Sequence, residues 1–150
     1  MRETRKQQSL SWHCQIHIQN CCSTGIGPET FAYASSDGAY TGSTNNVPAD
    51  QLDFYLEHGY YITASDYIQR PEVLESNFYA WRVTGDSKYL DRAKSAVESF
   101  TTYLNTSTGF AGITDVNNVN TTKIDETQSF WFAEVLKYLC VFLLLSFGRG

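Results

Sequence analysis

The chain is predicted to be an all-α protein built of antiparallel helix pairs. Three observations lead there. "RPEVLESNFYAWRVTG" and "SKYLDRAKSAVESFTTYL" each repeat apolar residues near helical spacing. Only a short turn at Gly85 and Asp86 separates them, which returns the second helix along the first. A third stretch, "QSFWFAEVLKYLCVF", keeps the helical period, and convincing strand is scarce elsewhere.

In chain order, residues about 3 to 22 fit a helix, although Trp12, Cys14, Ile16 and Ile18 alternate as a strand would. "STGIGPETFAYASSDGAYTGSTNNVPADQ" follows, and its glycine, serine and asparagine clusters read as a long loop. Loops of that length tend to carry function. In "DQLDFYLEHGYYITASDYIQ", Tyr60, Tyr61 and Ile62 suit a short strand or an extended approach. Pro71 fits the first turn of a helix running to about Val83. Gly85 ends it, and Asp86 is placed to cap the next helix. That next helix carries Leu90, Ala93, Val97, Phe100, Tyr103 and Leu104 as its apolar stripe. Residues 105 to 124 read as polar loop, and a long helix is expected from Asp125 through Phe130, Trp131, Val135, Tyr138 and Phe142.

At 150 residues the chain has room for one domain with a real core, and 42% apolar against 18% charged residues is a globular balance. A net charge of −5 leaves no basic patch for a phosphate backbone, so no nucleic-acid partner is expected. The four cysteines, Cys14, Cys21, Cys22 and Cys140, contain no CxxC pair, and the three histidines lack ligand spacing, which argues against a zinc site. Sequons at Asn105-Thr106-Ser107 and Asn120-Thr121-Thr122 tilt the chain toward a secretory compartment. "MRETRKQQSLSW" lacks the apolar core of a signal peptide. The apolar run after Tyr138 is too short to span a bilayer, so no transmembrane segment is expected in this chain.

Three stretches carry candidate chemistry. On the helix from Pro71, Leu74, Phe78 and Trp81 fall on one side, whereas Glu72, Glu75 and Tyr79 share another. The bland account is a solvated face, with acids placed where the helix dipole favours them and Arg70 as a compensating charge. The sharper account is a cleft in which one carboxylate activates water and its neighbour holds a sugar hydroxyl. In "TGIGPETF", Gly25 and Gly27 permit sharp turns before Glu29, which is otherwise an ordinary acid after proline. In "QSFWFAEVLKY", Phe130 and Glu134 are i, i+4 neighbours that either present a ring beside a carboxylate or pack into the core, with Glu134 paired to Lys137. Helical spacing alone does not separate these accounts.

In order, "TGIGPETF", "YITASDYIQRPEVLESNFYAWRVTGDSKY", "GFAGITDV" and "SFWFAEVLKY" closely resemble the last third of the class I α-1,2-mannosidases, glycoside hydrolase family 47, with the fungal branch nearest. The resemblance covers about residues 20 to 139, and neither 1 to 12 nor 140 to 150 looks familiar. It implies a partial (α/α)7 barrel, incomplete at both ends, so that residues 1 to 150 form the C-terminal portion of one catalytic domain. It also implies a calcium ion at the barrel base and inverting removal of terminal α-1,2-linked mannose from high-mannose N-glycans. Glu72 of "RPE" matches the general base, and Glu29 of "GPE" matches another essential acid, often labelled the catalytic acid. Arg70, Glu75, Phe130 and Glu134 match residues lining the mannose subsite. Cys14 matches half of a family disulfide, one residue out of step.

Departures from the family pattern shape the remaining expectations. Upstream acidic residues that share in catalysis are absent, and the threonine of a motif resembling "NTEAHP", which ligates calcium directly, is replaced by "CVFLLLSFGRG". Gln128 stands where many members have glutamate. No direct metal ligand is therefore expected; Glu72, Glu75 and Glu134 would reach calcium through water. The expected partner is a high-mannose oligosaccharide or N-glycoprotein, met in the secretory pathway (endoplasmic reticulum, Golgi membrane or outside the cell) by a full-length parent. The isolated chain is expected to be inactive. The competing expectation is a non-catalytic mannose-glycan binder of glycoprotein quality control.

Overall fold

The computed structural model describes residues 22–35, 38–43 and 46–147. The helix expected over residues 3 to 22 and the placement of Cys14 lie outside them, apart from Cys22. Among the described residues, four α-helices form the frame: α1 (Leu52–His58), α2 (Glu72–Thr84), α3 (Lys88–Tyr103) and α4 (Leu136–Phe147). Five short strands accompany them: β1 (Thr30–Ala34), β2 (Tyr40–Thr41), β3 (Tyr61–Ala64), β4 (Gly112–Ile113) and β5 (Lys123–Ile124). The helical expectation therefore holds for the frame but omits most of these strands.

Helix α2 begins and ends where its local chemistry dictates. Pro71 occupies the N-cap, and Gly85 stops the helix at φ 71°, its N–H returning to the Trp81 carbonyl. Ser87 takes the N-cap position of α3, and Asp86, one residue earlier than a capping role requires, accepts the Lys88 backbone N–H at 3.0 Å and pairs with the Lys88 ammonium at 2.8 Å. The tight turn makes α2 and α3 antiparallel. On α3 the buried stripe is Tyr89, Ala93, Ala96 and Phe100, continued by Leu104, while Val97 is exposed. Small Ala93 and Ala96 let the neighbouring helices approach.

The last helix starts later than expected. Residues 125 to 128 stay irregular, helical backbone begins at Ser129, and a π-helical segment spans Trp131–Val135 before α4. Trp131 meets Phe100 at 5.5 Å, and farther along Phe142 meets Trp81 at 5.5 Å. Those contacts run α4 in the same direction as α2. One core cluster gathers Tyr60, Tyr67, Leu74, Phe100, Ile113 and Trp131, and a second forms around Trp81, Tyr89 and Phe142.

The three-stranded sheet has the order β2-β1-β3, antiparallel, with Phe31 opposite Ile62. Its strands fall where the sequence reads as loop, except that β3 includes Tyr61 and Ile62. Gly42 lets β2 close in, because a Cβ there would sit 2.4 Å from the Phe31 carbonyl oxygen. A register irregularity between Thr30 and Phe31 breaks the β1–β3 ladder beside Glu29, a disruption common next to functional sites. β4 and β5 pair within the 105–124 segment, and β4 also bridges to Tyr67. Asn105 and Asn120 of the two sequons are both exposed. Among the described residues, no helix is long and apolar enough to cross a membrane.

Candidate functional site

The turn from Tyr67 to Arg70 is fixed by bonds to three distant segments. Tyr67 exchanges backbone hydrogen bonds with Ile113, at 2.9 and 3.0 Å. The Ile68 N–H donates to Glu29 Oε2 at 3.3 Å, and the Gln128 N–H donates to Gln69 Oε1 at 2.9 Å. The Tyr67 hydroxyl closes the turn on the Arg70 carbonyl at 3.0 Å. Arg70 thus leaves the turn at the mouth of α2, facing the loop that carries Glu29.

There the charges meet. Arg70 Nε–H donates to Glu29 Oε1, while its Nη1 lies 3.9 Å from Glu72 Oε1. The guanidinium carbon sits 5.8 Å from the centroid of the Phe130 ring, a cation–π approach. Glu29, Arg70 and Glu72 line one cleft of about 320 Å³ together with Pro28, Phe31 and Tyr67. Glu29 is nearly buried, with 10% of its side chain exposed, whereas Glu72 keeps 48% open to water. The hydrogen bond to Glu29, then the charges of Glu29 and Glu72, raise the Arg70 pKa above its ordinary value despite partial desolvation. Tyr67 is held protonated by burial first, then by the same two carboxylates.

Glu75 and Glu134 gather farther along the helices. The Tyr138 hydroxyl donates to Glu75 Oε1 at 2.9 Å. Burial, that hydrogen bond, and the charges of Glu75, Tyr79 and Glu134 all push the Tyr138 pKa up. Glu134, on the π-helical segment, makes no ion pair with Lys137. Phe130 is half-buried and sits against Arg70, so it is neither a free platform nor a core residue alone.

The predicted acid face is therefore present. Leu74 and Trp81 are buried and Phe78 is partly so, whereas Glu72 and Tyr79 are exposed and Glu75 is half-buried against Tyr138. Sequence reasoning missed three members of the arrangement. Tyr138 had an available signal, its i+4 spacing from Glu134. Tyr67 had none, since its part depends on a fold-level approach. Gln69 had none either: it takes φ 70° and is fully buried, features no spacing announces.

A family model described as glycosyl hydrolase family 47 matches residues 6–147, beyond the stretch that carries the quoted motifs. The chain is 47% identical over 120 residues to mannosyl-oligosaccharide alpha-1,2-mannosidase 1B of Aspergillus phoenicis, covering 79% of this chain and 22% of that protein. It is 45% identical over 120 residues to the protein of the same name from Emericella nidulans, with the same coverage of 79% and 22%. Among solved structures, alpha-1,2-mannosidase from Trichoderma reesei superposes with a TM-score of 0.75 at 36% identity, over 93% of this chain and 29% of that one. The chain thus spans about a fifth of the length of the curated relatives it matches, 22% in both cases.

Proposed function

The chain belongs to glycosyl hydrolase family 47, and from that premise we propose that it forms one wall of the mannose subsite of an inverting α-1,2-mannosidase that trims high-mannose N-glycans. The observation that carries the reading is the position of Arg70, bonded to Glu29, close to Glu72 and laid against Phe130. A sugar ring needs acceptors for its hydroxyls, a fixed donor for its oxygens and an apolar surface for its C–H face. Glu72 and Arg70 offer the polar partners, and the part of the Phe130 ring that Arg70 leaves open offers the apolar one. In this proposal residues 1 to 150 are the C-terminal portion of a single catalytic domain, within a closed (α/α)7 barrel.

The roles divide by environment. Glu72 is half-open to water, as a general base drawing a proton from an attacking water must be. Glu29 accepts from both Arg70 Nε–H and the Ile68 N–H, one bond on each oxygen. In this proposal it anchors Arg70 beside the acid face and is the further essential acid of the site. Glu75, held by Tyr138, binds a hydroxyl together with Glu134. Inverting hydrolysis places its two carboxyl groups roughly 6.5–9.5 Å apart to admit a water. Glu72 and Glu75, one helical turn apart, are too close for that, so the acid comes from another part of the parent. The isolated chain accordingly binds without turnover.

Calcium enters through the family. Among the described residues, no cluster of three or more His, Cys, Asp or Glu side chains is arranged to grip a metal directly. Calcium takes about six to eight oxygen ligands, and Glu72, Glu75 and Glu134 would reach it only through water. In this proposal the parent works in the secretory pathway, where glycoprotein substrates are made.

Calorimetric titration of the purified chain with α-1,2-linked mannobiose, beside a mannose-release assay, tests this reading. The expected result is binding that Arg70→Ala weakens by about tenfold or more, with no mannose released. Absence of binding, or equal binding of α-1,3-linked mannobiose, overturns it. Release that depends on Glu72 would show instead that this chain carries its own acid. Binding without hydrolysis by a complete parent would favour the non-catalytic glycan binder.

A further inference from the structure

We propose that Gln69 is a positioning residue, a clamp that holds the Phe130–Glu134 segment in register with the turn bearing Arg70 and Glu72. The inference rests on the mannose-subsite reading for its functional consequence, although the clamp itself stands on geometry alone.

Gln69 is the one non-glycine residue with positive φ among the described residues, at 70°. A side chain disfavours that region, and glycine or asparagine is the usual occupant. Such outliers persist where surrounding structure over-determines them, and they cluster at functional sites. Here the residue is fully buried, and its side chain reaches out of the turn to accept the Gln128 N–H at 2.9 Å, across 59 positions of sequence. Gln128 immediately precedes the last helix, and its carbonyl accepts the Trp131 N–H at 3.0 Å. One residue after Gln69 comes Arg70, and two residues after Gln128 comes Phe130. The side-chain bond thus braces the residue before Arg70 to the start of the segment bearing the ring that the guanidinium lies against at 5.8 Å.

Packing alone does not account for glutamine. Among the described residues its buried Nε2 has no hydrogen-bond partner, an unfavourable state for a polar group. Methionine of similar length would fill the space without that penalty. What methionine lacks is the acceptor oxygen, and the acceptor is the part of the side chain in use.

Gln69→Met and Gln69→Gly test the clamp in the full chain. The first keeps volume and removes the acceptor; the second also relieves the backbone. Four readouts apply: thermal midpoint, exchange of the Gln128 amide, the Arg70 Nε–H and Phe130 ring resonances, and affinity for α-1,2-mannobiose. The clamp predicts that Gln128 exchanges about tenfold faster or more, that both resonances shift, and that affinity falls by about tenfold, while Gln69→Met leaves the thermal midpoint near wild type. Should one variant fail to fold, the other decides. Unchanged Gln128 exchange and unmoved resonances overturn the clamp, as does a lower midpoint with the site resonances and affinity intact. If no chain binds mannobiose and the resonances still move, the clamp is supported and the mannose reading fails.

Discussion

The Tyr138 hydroxyl donates to Glu75 at 2.9 Å, tying α4 to the acid face of α2 across 63 residues of sequence. The bond has a charged acceptor, and such bonds contribute more than neutral ones. Tyr138→Phe removes only the hydroxyl. It should cost about 1–2 kcal/mol in urea unfolding. A double-mutant cycle with Glu75→Gln should return most of that as coupling energy, and additive effects would mean the bond contributes nothing in solution.

Alkaline pH should weaken the fold through two phenols. Burial leads in raising both Tyr67 and Tyr138 above the ordinary value of 10.0, with nearby carboxylates adding to it. The folded state keeps these protons where the unfolded chain has lost them. Stability present below about pH 10 therefore declines as pH rises above it. Urea midpoints at about pH 8 and about pH 11 should show the decline, and Tyr138→Phe should make it shallower. Equal midpoints in wild type would count against the burial of Tyr67 and the partial burial of Tyr138.

Gly112 is a position where the backbone needs space. A Cβ would stand 2.7 Å from the Tyr67 carbonyl oxygen, inside the bridge that holds the Tyr67–Arg70 turn. Gly112→Ala should destabilise by about 1–3 kcal/mol and shift the Arg70 Nε–H resonance, seen by unfolding and by NMR. A stable variant with Arg70 unmoved would show that β4 does not fix the turn.

Trp131 is 2% exposed and touches Phe100 and Phe110, at 5.5 and 5.1 Å between ring centroids. Trp131→Ala should cost about 3–5 kcal/mol, enough to unfold a marginal chain at room temperature. Circular dichroism would detect it, and a loss below about 1 kcal/mol would place the indole outside the core.

How much of this was legible follows from which interactions are local. Pro71, Gly85 and Asp86 act on their own neighbours, so the ends of α2 and the start of α3 could be read directly. The alternation of Leu74 and Trp81 against Glu72 and Glu75 is likewise a property of one helix. β1 and β2 lie in a stretch rich in glycine, serine and asparagine, and their pairing comes from tertiary contact that local propensity does not report. The last helix starts late, just after Gln128, whose N–H is bonded to Gln69 from 59 residues away, a partner that no local signal announces. At the site, Glu29, Arg70, Glu72, Glu75, Phe130 and Glu134 were reached through family resemblance, since helical spacing permits a solvated face equally well. The meeting of Glu29 with Arg70 spans 41 residues, and no period in the sequence encodes it.

The most direct measurement is an NMR titration of the chain with α-1,2-linked mannobiose, following the Arg70 Nε–H, the Phe130 ring and the Glu72 side-chain carboxyl carbon. If the acid face of α2 borders a sugar pocket, these three signals move together along one saturable curve, and signals from the separate Asp50–Asp115 cleft stay still. Saturable shifts confined to Asp50 and Asp115, or none anywhere, would contradict the account.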